Sequence, residues 1–182
     1  DLAYPIDGEP VCLDPQIAAD ETAKLVTGNC FEGLVRLDES GAIVPGAAQR
    51  WDVSADGRTY TFHLREGMKW HIADSDELEE LLGKGKTIDT TLNAEDFAFG
   101  LKRALLPETG MASAKALYAI ENAQAVHRGT ARSDQLGVRV VNASTLEIRL
   151  ARADSAFLYA LTLPMSMPCD EAFFLATSGR YG

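Results

Sequence analysis

Between Trp51 and Trp70 the chain alternates apolar and polar residues. Two short apolar runs flank Asp56-Gly57, a dipeptide that favours a tight turn because glycine tolerates positive φ. After it, Tyr60, Phe62 and Leu64 alternate with Thr59, Thr61, His63 and Arg65. A period of two puts the large apolar side chains on one face and the polar ones on the other. The stretch therefore predicts a half-buried β-hairpin, followed by a turn at Glu66-Gly67. Beyond Asn93 the period changes. Phe97, Leu101, Ala104 and Leu105 form the stripe of a helix running from Ala94 to about Leu105, capped by Asn93 and ended before Pro107. Alternation returns at Leu146, Ile148 and Leu150 against Thr145, Glu147 and Arg149, the pattern of a strand with one wet face. Its expected partner is a strand over 137–141, joined through Asn142-Ala143-Ser144.

Weaker signals fill the rest. Residues 9–15 predict a short strand ending at Pro15, which cannot donate to a ladder. Asp20 is placed to cap a helix from Glu21 to about Cys30, with Leu25 and Val26 toward the core. Gly33 breaks that helix into two short strands, 34–37 and 42–44, around a turn at Glu39-Ser40-Gly41. Asp74 and Glu77 suggest a capping box for a surface helix over 75–82, stopped by Gly83. A further helix is expected from Ser113 to about His127, with Leu117, Ile120 and Ala123 inward. Helical pieces near 155–161 and after Asp170 flank a proline-bearing stretch, Leu163–Pro168. The succession is an α+β (mixed α/β) fold with largely antiparallel strands.

Composition narrows the function classes. A formal net charge of −10 over 182 residues argues against nucleic acid and against an anionic membrane surface, both of which need clustered Lys and Arg. No apolar run reaches the roughly 20 residues of a membrane-spanning helix. No basic-then-apolar leader opens the chain at Asp1, as expected of a mature or trimmed sequence. Three cysteines are too few for a disulfide scaffold: either Cys12 and Cys30 pair and Cys169 stays free, or all three are buried thiols. His63, His71 and His127 fit no zinc or protease pattern, and no nucleophile–base motif is present. Neither an enzyme activity, a cofactor nor a metal is expected. Trp51, Tyr60, Phe62 and Trp70 are expected in the core.

Several of these stretches carry a resemblance. Trp51 to Trp70, with its Ser-Ala-Asp-Gly turn, Tyr-Thr-Phe-His-Leu-Arg and Gly-Met-Lys-Trp, is similar to the signature of the extracytoplasmic solute-binding proteins of peptide/nickel-type ABC importers. Leu13-Asp14-Pro15, Phe31-Glu32-Gly33-Leu34-Val35, Ile43-Val44-Pro45 and Leu92-Asn93-Ala94-Glu95-Asp96-Phe97 follow in the family's order. So do Leu136-Gly137-Val138, Ser144-Thr145-Leu146-Glu147-Ile148 and the run from Pro164 to Pro168. Two departures stand out. Residues 72–91 replace a short turn of the family with an insertion, expected to be a surface elaboration. The resemblance stops before the family's second large lobe, so the chain is expected to be the N-terminal portion of such a protein.

The resemblance implies part of a periplasmic-binding-protein-like type II fold: residues 1–45 as the first strands and helix of lobe I, and residues 46–182 as the accessory domain. It implies a substrate-binding component of an ABC transporter, extracytoplasmic and monomeric, that captures a peptide or related small solute and hands it to a membrane permease. The alternative is a ligand-sensing module of a regulator on the same fold. Carried over from the family, one rim of the ligand cleft falls at Ala18, Ala19, Asp20 and Glu21 and at Met111, Ala112 and Ser113. Asp20 or Glu21 is then placed to meet a peptide ammonium group. The competing reading is that Asp20 only caps the helix and Glu21 complements its dipole.

Overall fold

The structure is a computed structural model, and it describes residues 6, 8–71, 79, 82–83, 88–179 and 181. The hairpin forms as the alternation predicts. Strands β3 (Ala48–Val53) and β4 (Thr59–Leu64) pair antiparallel, with Trp51 opposite Phe62 and Val53 opposite Tyr60. Gly57 takes φ +68° in the turn, and its N–H donates to the Ser54 carbonyl at 2.8 Å. Before it, β1 (Val35–Leu37) and β2 (Ile43–Pro45) form a separate two-stranded sheet. Asp38 closes their turn, its carboxylate accepting from the Ser40 and Ala42 N–H groups.

Strands β5 (Val138–Asn142) and β6 (Thr145–Arg149) complete a four-stranded antiparallel sheet in the order β3-β4-β6-β5. The wet face predicted for β6 is observed: Leu146 and Ile148 are buried while Thr145, Glu147 and Arg149 are not. Helix α1 runs from Glu21 to Cys30, and α2 from Ala94 to Ala104. Asn93 and Asp96 form a capping box at the start of α2: the Asn93 carboxamide accepts from Glu95 N–H at 2.7 Å, and Asp96 accepts from Asn93 N–H at 2.8 Å. Phe97, Leu101, Ala104 and Leu105 are fully buried, as their stripe requires. They pack with Phe62, Leu64, Leu146, Ile148 and Leu150 in one continuous core that also takes in Leu34, Val35, Ala47 and Ala48.

Four expectations need correction. The strand over 9–15 is not one: the segment is irregular among the described residues, has prolines at 10 and 15 that lack an N–H, and turns at Asp14, whose carbonyl accepts from Ile17 and Ala18. On α1 the inward face is Ala23 and Thr27, while Leu25 is 39% exposed and Val26 only half-buried. The helix over 113–127 is broken into a 3-10 segment, Ala112–Leu117, and a short α3, Ala123–His127, with Asn122 at φ +64° between them. The interruption is a β-bridge from Ile120 to Leu150, with Glu121 N–H donating to Arg149 O and Ala151 N–H to Ala119 O. Its buried residues, Ala114, Leu117, Ile120, Ala123 and Val126, recur every three positions. On an α-helix that spacing slips by about 60° per step, so the five could not share one face.

The fourth concerns the cysteines and Trp70. The pairing of Cys12 with Cys30 does not form, and of the three cysteines only Cys169 is buried while Cys30 is exposed. Trp51 packs against the core as expected. Trp70 stands apart from it, meeting Phe31 edge-on at 6.4 Å between ring centroids. The pair Lys69–Thr91 bridges antiparallel beside it, with Trp70 N–H donating to Thr90 O and Leu92 N–H to Met68 O, so the segment expected to be an insertion starts and ends at one pinned neck. The helix expected over 75–82 lies outside the described residues except for Glu79 and Leu82, both helical. Chain order closes with α4 (Phe157–Ala160), a 3-10 turn at Pro164–Ser166 and α5 (Glu171–Ala176). No helix among the described residues is long and apolar enough to cross a membrane.

Candidate functional site

The two segments expected at the cleft rim, 18–21 and 111–113, occupy different parts of the fold. Ala18 is buried and Ala19 exposed at the entry to α1. Asp20 serves as the cap: its Oδ1 accepts from Ala23 N–H at 2.8 Å and its Oδ2 from Val11 N–H at 3.4 Å. These backbone donors, Ala23 first, hold its carboxyl below the usual carboxylate range. Glu21 projects into solvent, its side chain 91% exposed, and pairs with Lys24 at 2.7 Å one turn on. Of the two carboxylates, Glu21 is therefore the one left with acceptor capacity for a ligand cation.

Met111, Ala112 and Ser113 follow the end of α2. A 3-10 turn at Pro107–Thr109 and a left-handed Gly110, φ +69°, redirect the chain there. Met111 is half-buried and Ser113 exposed. Among the described residues no hydrogen bond or ion pair joins Met111–Ser113 directly to Ala18–Glu21.

What both segments share is a neighbour that pattern reading missed. Arg103, its side chain 8% exposed, makes a two-pronged guanidinium contact with the carboxylate of Asp14, whose side chain is 2% exposed. The same Nη1 donates to Gln16 Oε1 at 2.7 Å, and the Gln16 amide donates to Met167 O at 2.9 Å. Phe174 lies under the guanidinium at 4.3 Å. Burial works against the Arg103 charge, yet the hydrogen bond and charge of Asp14 outweigh it and raise the pKa. Burial also pushes the neighbouring Cys169 thiol up to about 12, which leaves it inert. Paired polar partners offset the desolvation of both ions, and removing either would strand the other.

This network sits on a second face of α2. Asp96, Gly100 and Arg103 lie at i, i+4 and i+7, against the 167–170 segment, so close that a Cβ on Gly100 would collide with Met167 O. The helix is therefore covered on two sides. A charged residue three positions after a mid-helix glycine was the available signal, and nothing in its spacing named Asp14 as partner.

Two cavities flank this region. One of about 520 Å³ is lined by Phe31, Glu32, Arg65, Met68, Trp70 and Leu92 among others, with Glu32 and Arg65 ion-paired across it. The other, about 430 Å³, shares Phe31 and Glu32 and adds Val35, Leu37 and Met167. Neither of the two segments expected at the rim lines them. His71 lines the larger cavity, whereas His63 binds Asp52 at 2.8 Å on the outer sheet face. Among the described residues no group of three or more His, Cys, Asp or Glu could hold a metal ion.

Comparison with known proteins bears on what this scaffold does. The family model described as "Bacterial extracellular solute-binding proteins, family 5 Middle" matches residues 42–177. The chain is 40% identical over 152 residues to the periplasmic murein peptide-binding protein MppA of Escherichia coli, covering 82% of this chain and 25% of that protein. It is 35% identical over 167 residues to the probable deoxycholate-binding periplasmic protein YgiS of the same species, covering 91% of this chain and 28% of that protein. Among solved structures it superposes on the peptide-binding pheromone receptor PrgZ with a TM-score of 0.81 at 32% identity, covering 97% of this chain and 32% of that one. The chain thus spans about a third or less of the proteins it matches.

Proposed function

This chain belongs to the bacterial extracellular solute-binding proteins of family 5 and carries part of their periplasmic-binding-protein-like type II fold, and from that premise we propose that it acts in the substrate-binding component of an ABC importer. The component captures peptides outside the cytoplasmic membrane and delivers them to a membrane permease, binding as a monomer and without chemical conversion. Residues 1–45 supply the start of lobe I and residues 46–182 the accessory domain. Ala18, Ala19, Asp20 and Glu21 form one rim of the cleft, and Met111, Ala112 and Ser113 another part of it. Glu21 offers its carboxylate to the peptide ammonium as a charge-assisted contact, while Asp20 keeps the helix entry in place. Backbone pairing with an extended peptide gives affinity that tolerates varied side chains.

The observation that carries this reading is the superposition on PrgZ, a peptide-binding receptor, together with the identity to a murein peptide-binding protein. The test is a thermal-shift screen of the full-length protein against unblocked tri-, penta- and nonapeptides, with deoxycholate alongside. Ligand at about 100 times Kd adds roughly 2.7 kcal/mol to the native state, a shift easily read. Stabilisation by peptides supports the proposal. Stabilisation by deoxycholate alone would redirect it to another solute, and no response from either class would defeat it.

A further inference from the structure

We propose that Arg103 is a positioning residue that holds both rim segments at once, so that ligand affinity depends on it although it touches no ligand. The inference rests on the cleft reading above and adds the element that sets the cleft's geometry. Through its side chain Arg103 grips the first segment: the fork on Asp14 and the bond to Gln16 at 2.7 Å fix the loop that leads into Ala18. The loop is also tied by the Gln16 amide on Met167 O at 2.9 Å, the Gln16 N–H on Asp14 Oδ1 at 3.0 Å, the Ile17 and Ala18 N–H groups on the Asp14 carbonyl, and the Val11 N–H on Asp20. Of the side chains that hold it, Arg103 is the one that grips Asp14 and Gln16 together.

Through its backbone the same residue grips the second segment. The Thr109 hydroxyl donates to the Arg103 carbonyl at 2.6 Å, two residues before Met111. The same carbonyl accepts from the Leu106 N–H at 3.1 Å, so the hydroxyl adds a second bond at the end of α2, where carbonyls lack i+4 partners, and ties down the turn that leads through Gly110. The guanidinium has no freedom to drift, being buried and packed on Phe174. The cleft rim is thus referenced from both sides to one rigid residue of a helix in the core. A site held this way loses less conformational freedom when ligand binds, and loosening either tie makes the ligand supply that order.

The experiment measures peptide Kd by titration calorimetry on the full-length protein, well below Tm, using the unblocked tri-, penta- and nonapeptide panel. Thr109→Val removes one hydroxyl at nearly constant volume, and Arg103→Lys keeps the charge but cannot form the fork. Both should weaken Kd about fivefold or more, and Thr109→Ser should restore wild-type affinity. Ile148→Val, in the sheet core away from both ties, lowers Tm but should leave Kd within about twofold. Wild-type Kd in both Thr109→Val and Arg103→Lys would overturn the proposal, as would an equal loss in Ile148→Val. Failure of the wild-type protein itself to bind any peptide would instead bring down the functional reading on which the proposal stands.

Discussion

Replacing Asp96 by Asn should stabilise the protein at neutral pH and leave it unchanged in acid. Asp96 is 8% exposed at the start of α2. Burial, followed at a distance by the charges of Asp170 and Glu95, raises its pKa from 3.8 to about 6, against the lowering effect of the Asn93 N–H and of the Trp70 indole. That indole N–H is buried beside the carboxylate yet reaches no acceptor in hydrogen-bond geometry among the described residues. A carboxyl whose folded pKa lies above its unfolded one binds its proton more tightly when folded. Its ionisation therefore costs stability, with the cost rising from pH 3.8 and complete above pH 6. Two units at about 1.4 kcal/mol each give about 3 kcal/mol, or about 2 kcal/mol once solvent reaching the carboxylate is allowed for. The carboxamide introduced by Asp96→Asn would keep an oxygen for the Asn93 N–H, bound now at 2.8 Å, without the charge. Urea unfolding of both proteins should show the variant more stable by about 2 kcal/mol near pH 7.5, with the difference vanishing near pH 4. A difference that stays constant across that range would refute the reasoning.

Three further outcomes follow from the same geometry. Asp14→Ala strands the buried Arg103 charge and should cost about 3–5 kcal/mol in chemical denaturation, whereas Lys24→Ala, which breaks a pair with side chains 41% and 91% exposed, should cost less than about 0.5 kcal/mol. Gly46→Ala would place a Cβ 2.5 Å from the Gly33 carbonyl oxygen, forcing apart the backbone segments that lead into β1 and β3, and should lower Tm by an amount equivalent to about 1–3 kcal/mol. Cys169, fully buried with its thiol pushed up to about 12, should resist iodoacetamide in the native protein and react only after denaturation, as read by peptide mass spectrometry.

Much of the fold is legible because its signals are local. The period-two runs at Tyr60–Leu64 and Thr145–Leu150, the Asn93 cap and the 97–101–104–105 stripe each specify an element from its own residues, and each formed within a residue or two of its expected bounds. The Asp20 cap was equally legible, and it formed as a cap. The helix over 113–127 was not, because its break is imposed by pairing with Leu150, thirty positions downstream, although the three-residue spacing of its buried positions already fitted an α-helix badly. Leu25 looked inward because it is apolar, while the small Ala23 and Thr27 permit the close approach. The Arg103–Asp14 contact spans 89 positions. A lone arginine in a helix and an Asp before a proline carry no mark of one another, so the anchor of the candidate site could only be read in three dimensions.

The most direct test of the account is amide hydrogen exchange on the full-length protein, with and without a saturating peptide. Capture at the rim predicts slowed exchange at residues 17–23 and 111–118, with the β3-β4-β6-β5 sheet unchanged. Protection that spares both segments while the peptide is demonstrably bound would contradict it.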